Sequence, residues 1–275
     1  GPRYFNATFV PLLVVACLIL PAGPLLAWKR GDLKGALQRL WLAAGLALAA
    51  AFAAFALFEP KKALAAAGLG VGAWLILGAL AELGVRTKAF RAPLGETLRR
   101  AKGLPLGAWG MTLAHAGLGV FILGAVVETS FKAEAAAAVP LGGVVSSGPW
   151  RVRLDAVEVI EGPNYLAEQG CLTVAPVAGK AVERVVTAER RFFPAGGRTT
   201  TEVGLDFRGL DDVYVVMGER AATERNEQAW TVRVYYNPWA RLIFLGPLIM
   251  ALGGVLSLLD RRLRVGAGSR KKTVE

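Results

Sequence analysis

Apolar residues fall in five long runs, and between the fourth and fifth lies a segment where apolar and polar residues alternate one by one. The runs are Phe9–Trp28, Leu40–Phe58, Ala63–Ala81, Leu104–Val127 and Trp239–Leu259. Each is close to the roughly 20 residues that a helix needs to cross a bilayer core, so five transmembrane helices are predicted. Pro11, Pro21 and Pro24 interrupt the first. Inside a membrane only neighbouring protein repairs such breaks, which predicts a kinked helix packed in a bundle.

In the intervening segment, Trp150, Val152, Leu154 and Ala156 alternate with Arg151, Arg153 and Asp155. Near its end Trp230, Val232, Val234 and Tyr236 alternate with Thr231, Arg233 and Tyr235. Period two marks half-buried strands. Further strand-like runs occupy 171–177, 182–193, 198–207 and 212–217. Turn signals separate them at Gly162-Pro163-Asn164, Ala178-Gly179-Lys180 and Ala195-Gly196-Gly197. Six or seven short strands predict a small barrel or sandwich, less regular than a closed barrel. The fold class is therefore a polytopic α-helical membrane protein with an inserted all-β domain. Helices one to four fall in 1–129, the β-rich domain in 130–238, the fifth helix in 239–262 and a basic tail in 263–275.

Charge orients this arrangement. The net charge is +11, but segment 130–237 holds twelve Lys/Arg against fourteen Asp/Glu, a net of −2. The excess lies after the first run (Lys29, Arg30, Lys34, Arg39), after the third (Arg86, Lys88, Arg91, Arg99, Arg100, Lys102) and in the tail (Arg261, Arg262, Arg264, Arg270, Lys271, Lys272). If each run crosses once, all three groups share one side, as the positive-inside rule requires. The C-terminus is then cytoplasmic, and the N-terminus and segment 130–238 are outside. Such charge speaks for topology and lipid attraction, not for nucleic acid. Trp28, Trp41, Trp109 and Trp239 sit near span ends, where interfacial aromatics belong. Cys17 lies in a span and Cys171 in the outer segment, so no disulfide is expected. The start at GPRYFN and a first methionine at Met111 lead us to expect the C-terminal part of a longer polypeptide.

Candidate chemistry is sparse. His115 is the only histidine, which excludes a Ser-His-Asp set, and Gly68, Gly70 and Gly72 lack the strand and acid of a dinucleotide site. His115 sits inside the run LPLGAWGMTLAHAGLGVFILGAVV, and an ionisable group at that depth is a functional-site candidate. Ala108, Met111, Gly119 and Ile122 share its helical face. Small residues there would admit a flat group such as a porphyrin, and a neutral imidazole is an axial ligand to heme iron. Met111 and Gly119 accordingly join His115 as cofactor-binding candidates. A packing histidine and glycine-mediated helix packing stay open as alternatives. Arg241, at the outer end of the fifth run, could snorkel to the interface or bind an acidic group of a cofactor. Glu128 ends the fourth run on the same side. In the β-rich segment, Tyr165 tips the turn EGPNY, and Arg191 stands beside Phe192 and Phe193. Both are partner-docking candidates, against a plain turn and a solvated strand edge.

These residues bring out a family likeness. GPRYFN at 1–6, WGMTLAHAGLGVF at 109–121, EGPNY at 161–165, the run 189–219 and the run 230–262 occur in order, and together they resemble the CcmF family, the large membrane subunit of the bacterial system I cytochrome c heme lyase. The resemblance covers essentially the whole chain but only the C-terminal portion of that family. It implies a heme b in the bundle held by two histidines on different helices, with His115 at the position of the C-terminal one. It implies partners: the N-terminal portion of the same protein or a split subunit, a periplasmic heme chaperone, and apocytochrome c with its thiol-handling subunit. Quinol is a candidate electron source. The family's tryptophan-rich WWD segment and its outer-surface histidines are not in this sequence, so enzyme activity of this chain alone is left open. The competing reading is a membrane heme-handling, transport or docking component without redox catalysis.

Overall fold

The computed structural model describes residues 2–26, 32–58, 62–89, 91–179, 182–222 and 228–260. The basic tail 263–275, and Trp28, Lys29, Arg30, Lys61 and Lys180, lie outside them. The chain separates into two compact units, Gly1–Val126 with Leu242–Glu275, and Val127–Arg241.

The first unit is helical: α1 (Pro2–Ile19), α2 (Leu33–Leu57), α3 (Ala63–Thr87), α4 (Leu94–Lys102), most of α5 (Leu106–Phe131) and most of α6 (Ala240–Leu259). Five of the helices are long and apolar enough to cross a membrane. With the β-domain described below, they make this a polytopic membrane protein. Helix α1 runs through Pro11 and stops before Pro21. The Trp74 indole on α3 donates to the Leu18 carbonyl, 3.1 Å away, supplying a partner at a helix end where the ladder stops. Helix α2 begins seven residues before the predicted Leu40, because Asp32 caps it: its Oδ1 accepts from the Gly35 amide at 2.9 Å. Helix α3 continues six residues past Ala81 and so takes in Glu82 and Arg86. The short helix α4 was not predicted. Its apolar Leu94 and Leu98 are too few to mark a span, and a Glu96–Arg100 pair one turn apart, 2.6 Å long, supports it.

Glycine decides how this unit packs. On α5, Gly110, Gly117 and Gly124 recur every seven residues. A Cβ at these positions would strike Gly253 and Ser257, Gly246 and Met250, and Leu242 and Ile243 of α6. On the opposite side of α5, Gly119 meets Gly72 and Ile76 of α3. Gly70 of α3 lies against Ala47 and Ala51 of α2, and Gly78 against Pro21. Lipid gives helices no hydrophobic reason to associate, so close backbone approach through small residues supplies the packing.

The second unit is a β-sandwich with two antiparallel sheets. One has the order β1 (Ala133–Pro140), β9 (Gln228–Asn237), β8 (Asp211–Ala222), β7 (Gly204–Arg208). The other runs β2 (Val144–Ser147), β3 (Trp150–Glu161), β4 (Leu166–Pro176), β5 (Arg184–Phe193), β6 (Arg198–Glu202). Val152, Leu154, Leu172 and Val174 of one sheet share the buried core with Val213, Val215, Met217, Val232 and Val234 of the other. Two strands escaped the sequence pattern. Strand β1 is AEAAAAVP, whose alanines and glutamate are helix formers, and its pairing with β9 from Ala133↔Tyr236 to Pro140↔Ala229 overrides that propensity. Strand β2 spans only four residues. The predicted run 198–207 divides at Val203 into β6 and β7, which belong to different sheets.

Candidate functional site

His115 lies nine residues into α5 and sixteen before its end, so about 24 Å of helix separates it from the point where the chain leaves toward β1. Its ring is half-buried and, among the described residues, has no hydrogen-bond partner. Thr112, one turn earlier, is buried and spends its hydroxyl on the Ala108 carbonyl at 3.0 Å. On the helical wheel His115 stands about 160° from the glycine seam that holds α6. It is thus turned toward the α3 side of α5, on an arc with the half-buried Met111 and Ile122.

Gly119 is placed differently from its sequence reading. The space its missing Cβ leaves is filled by the Gly72 carbonyl and Ile76, 2.7 Å from where that carbon would be. That point is closed to a flat ligand, and Gly119 serves helix packing. Arg241 is also committed elsewhere. Its Nε donates to Asp212 at 3.3 Å, its guanidinium stacks 4.3 Å over the Phe207 ring, and its backbone amide donates to the Leu210 carbonyl. These contacts all lie within the β-domain unit, where Arg241 is bound to the β7–β8 turn.

Two acidic residues were not singled out in the sequence. Asp211 accepts the Trp239 amide at 2.9 Å and the Tyr236 hydroxyl at 2.8 Å, while Trp239 adopts a positive φ of 55°. Burial, then the Asp211 hydrogen bond, pushes the Tyr236 phenol well above its ordinary range. Glu82 on α3 is 3% exposed. Its Oε1 pairs with Arg86 one turn later, and its Oε2 is buried without a partner. The signal was a lone acid in an otherwise apolar stretch, just outside the predicted end of the third span.

The two docking candidates come together. Arg191 lies 4.6 Å over the Tyr165 ring, and Tyr165 meets Phe193 at 5.5 Å. Arg191 donates to Glu189 at 2.7 Å and pairs with Glu202 at 3.5 Å, and Gln169 donates to the other Glu189 oxygen at 2.6 Å. The cluster sits at the β3–β4 and β5–β6 end of the sandwich, opposite the end where Ala133 and Asn237 join it to the helices. The Arg191 bond holds the Glu189 carboxyl below the usual carboxylate range. A depressed carboxyl stabilises the fold above its unfolded pKa and loses that contribution as pH falls through the folded value. Protection of the β5 and β6 amides against hydrogen exchange, corrected for intrinsic rates, should therefore decline below about pH 4.3. Arg191→Gln should weaken that decline, leaving the part due to the Gln169 bond.

Among the described residues no group of three or more His, Cys, Asp or Glu is placed to hold a metal ion. Residues 130–238 match the model of the CcmF C-terminal β-sandwich family. The cytochrome c-type biogenesis protein CycK of Bradyrhizobium diazoefficiens is 43% identical over 268 residues, covering 97% of this chain and 40% of that protein. Escherichia coli CcmF is 31% identical over 276 residues, covering all of this chain and 40% of the relative. A solved structure of the cytochrome c heme lyase CcmF superposes with a TM-score of 0.69 at 18% identity, over 94% of this chain and 41% of that one. The chain thus spans about two fifths of the length of these relatives. The matched β-sandwich, the five apolar helices and relatives aligned along nearly the whole sequence agree with one another: this chain belongs to the CcmF family of cytochrome c-type biogenesis proteins, as the C-terminal portion of its members.

Proposed function

We propose that this chain is the part of a membrane heme lyase that gives one axial ligand, His115, to a heme b in the transmembrane bundle. The second ligand comes from the preceding portion of the protein or a split subunit. The observation that carries the reading is the imidazole itself: half-buried in an apolar helix, with no hydrogen bond among the described residues. A polar ring left unpaired in lipid is costly, and coordination removes that cost. The unpartnered imidazole suits such a group, the half-buried Met111 and Ile122 share its arc of α5, and the point at Gly119 is filled by α3. When bound, the heme supplies one-electron redox chemistry. His115 would hold it, and the apolar residues of that flank would keep water from the ring.

The distribution of basic residues in the sequence supports a cytoplasmic C-terminus and a sandwich in the periplasm of a bacterial inner membrane. There Tyr165 and Arg191 are the docking residues for the heme chaperone or for apocytochrome c with its thiol-handling subunit. Quinol would be the electron donor, and the heme joined to the apocytochrome thiols would be the substrate of the lyase. The Tyr165–Arg191–Phe193 cluster alone would equally serve a docking component without redox chemistry. A reduced-minus-oxidised visible spectrum of the complex purified from membranes separates the two. Bands of a b-type heme with two imidazole ligands are expected. A complex that matures cytochrome c without them would reject the redox reading.

A further inference from the structure

We propose that α4 is a membrane-surface helix that binds anionic phospholipid. Its exposed leucines sink to the acyl boundary of the leaflet where α3 ends and α5 begins, and Lys88, Arg91, Arg99 and Lys102 hold the headgroups around it. Neither the role of His115 nor the side of the membrane on which the sandwich lies bears on this.

Both neighbours of α4 are spans. Only residues 88–93 separate it from α3, and only 103–105 from α5. A chain covers at most about 3.6 Å per residue, so the end of α4 stays within about 14 Å of the start of α5. The Trp109 indole of α5 draws it closer, donating to the Ala101 carbonyl at 3.3 Å. Tethered in this way, α4 cannot leave the membrane surface.

The helix also needs a cover. It has nine residues, and Pro93 gives its first turn no side-chain cap. Isolated helices shorter than about 12–15 residues are marginal in water. Leu94 and Leu98 lie one turn apart, with Ala101 on the same arc. Leu94 is 74% exposed and Leu98 52%, so the helices of the first unit do not cover that arc. The apolar phase within reach is the bilayer that both tethers enter.

Charge selects the lipid. Glu82 is paired with Arg86, and Glu96 with Arg100. Lys88, Arg91, Arg99 and Lys102 are exposed and, among the described residues, have no ion pair. Lys102 borders the leucine arc and Arg99 stands next to it. Their stems can lie along apolar surface while their charges reach the phosphates. A basic amphipathic helix rests in the interface in this manner, apolar face down and cations among the headgroups. Sidedness alone accounts for cations in this connection. It does not account for two leucines one turn apart and turned out of the bundle beside them.

The test is hydrogen exchange of the assembled full-length complex in two kinds of nanodisc, one of phosphatidylcholine alone and one with an equal share of phosphatidylglycerol. Each cation near an anionic surface strengthens attachment roughly fivefold. The amides of 95–102 should therefore exchange at least about tenfold more slowly in the anionic disc, and high salt should shrink that difference. Arg99→Gln combined with Lys102→Gln should bring the anionic rate close to the neutral one, while α3 and α5 keep their protection. Leu98→Gln should speed exchange of α4 in both discs. Equal rates of the unaltered complex in the two discs overturn the proposal: both fast would mean that α4 is uncovered, and both slow that protein rather than lipid covers its leucines. An unchanged difference in the double variant overturns it as well, and so does a Leu98→Gln variant that exchanges like the unaltered complex. If the double variant does not assemble, the salt dependence decides in its place, and a difference indifferent to salt overturns the proposal.

Discussion

Replacing His115 with alanine should abolish the b-type heme absorption of the assembled complex and stop cytochrome c maturation in cells that depend on it. No other residue of the chain can stand in, since His115 is the only histidine. Met111, one helical turn away, offers a thioether on a flexible stem rather than an imidazole. The effect should also be separable from misfolding. His115 is half-buried, makes no hydrogen bond among the described residues, and stands away from the α5–α6 seam. Truncating such a side chain should change stability by no more than about 1 kcal/mol. The variant should therefore reach the membrane at normal abundance, without its heme. His115→Gly with added free imidazole makes the assignment sharper, because a ligand supplied from solution should restore the bands where packing alone would gain nothing. If the alanine variant kept its reduced spectrum and its maturation activity, His115 would be a packing residue.

What the sequence disclosed, and what it hid, divides along physical lines. The five spans were legible because a long apolar run has few other uses. The central strands were legible because Trp150–Leu154 and Trp230–Val234 alternate between core and more exposed positions. Strand β1 was hidden because alanine carries almost no period-two contrast, and only its long-range pairing with β9 makes it a strand. Tyr165 and Arg191 could be flagged one at a time, but their stacking depends on β3–β4 and β4–β5 registers that the sequence does not print. The glycines near His115 were read as room for a ligand, yet Gly119 faces α3, and Gly110 and Gly117 face α6. Small residues signal close approach, and nothing in their pattern says whether a cofactor or another backbone is what approaches. Arg241 shows the same limit. An arginine at a span end suits several partners, and the choice of Asp212 and Phe207 is made by the β7–β8 turn. Glu82 escaped because hydropathy ended the third span one residue too soon, whereas the helix continues to Thr87.

The largest structural effect should come from Gly117→Leu, which should prevent stable assembly of the bundle. A Cβ at Gly117 would lie 2.8 Å from the Gly246 carbonyl oxygen, the Met250 amide nitrogen and the Met250 side chain. Two of these three atoms are backbone, so a rotamer change cannot relieve the clash, and α6 must move bodily off α5. The contact is reciprocal, because Gly246 in turn abuts the Gly117 carbonyl and Phe121. Overpacking a well-filled site costs about 1–3 kcal/mol even where side chains can adjust, and here the seam from Gly110 to Gly124 would open as well. Gly254→Ala is the matched control on the same helix. A Cβ there meets nothing within 4 Å, and alanine is favoured over glycine within a helix by about 1 kcal/mol. Thermal unfolding of the detergent-solubilised complex should show Gly117→Leu strongly destabilised or absent, and Gly254→Ala unchanged or slightly raised. Similar behaviour of the two variants would mean that α6 does not rest on the glycine seam of α5, and the side of α5 open to a ligand would have to be assigned afresh.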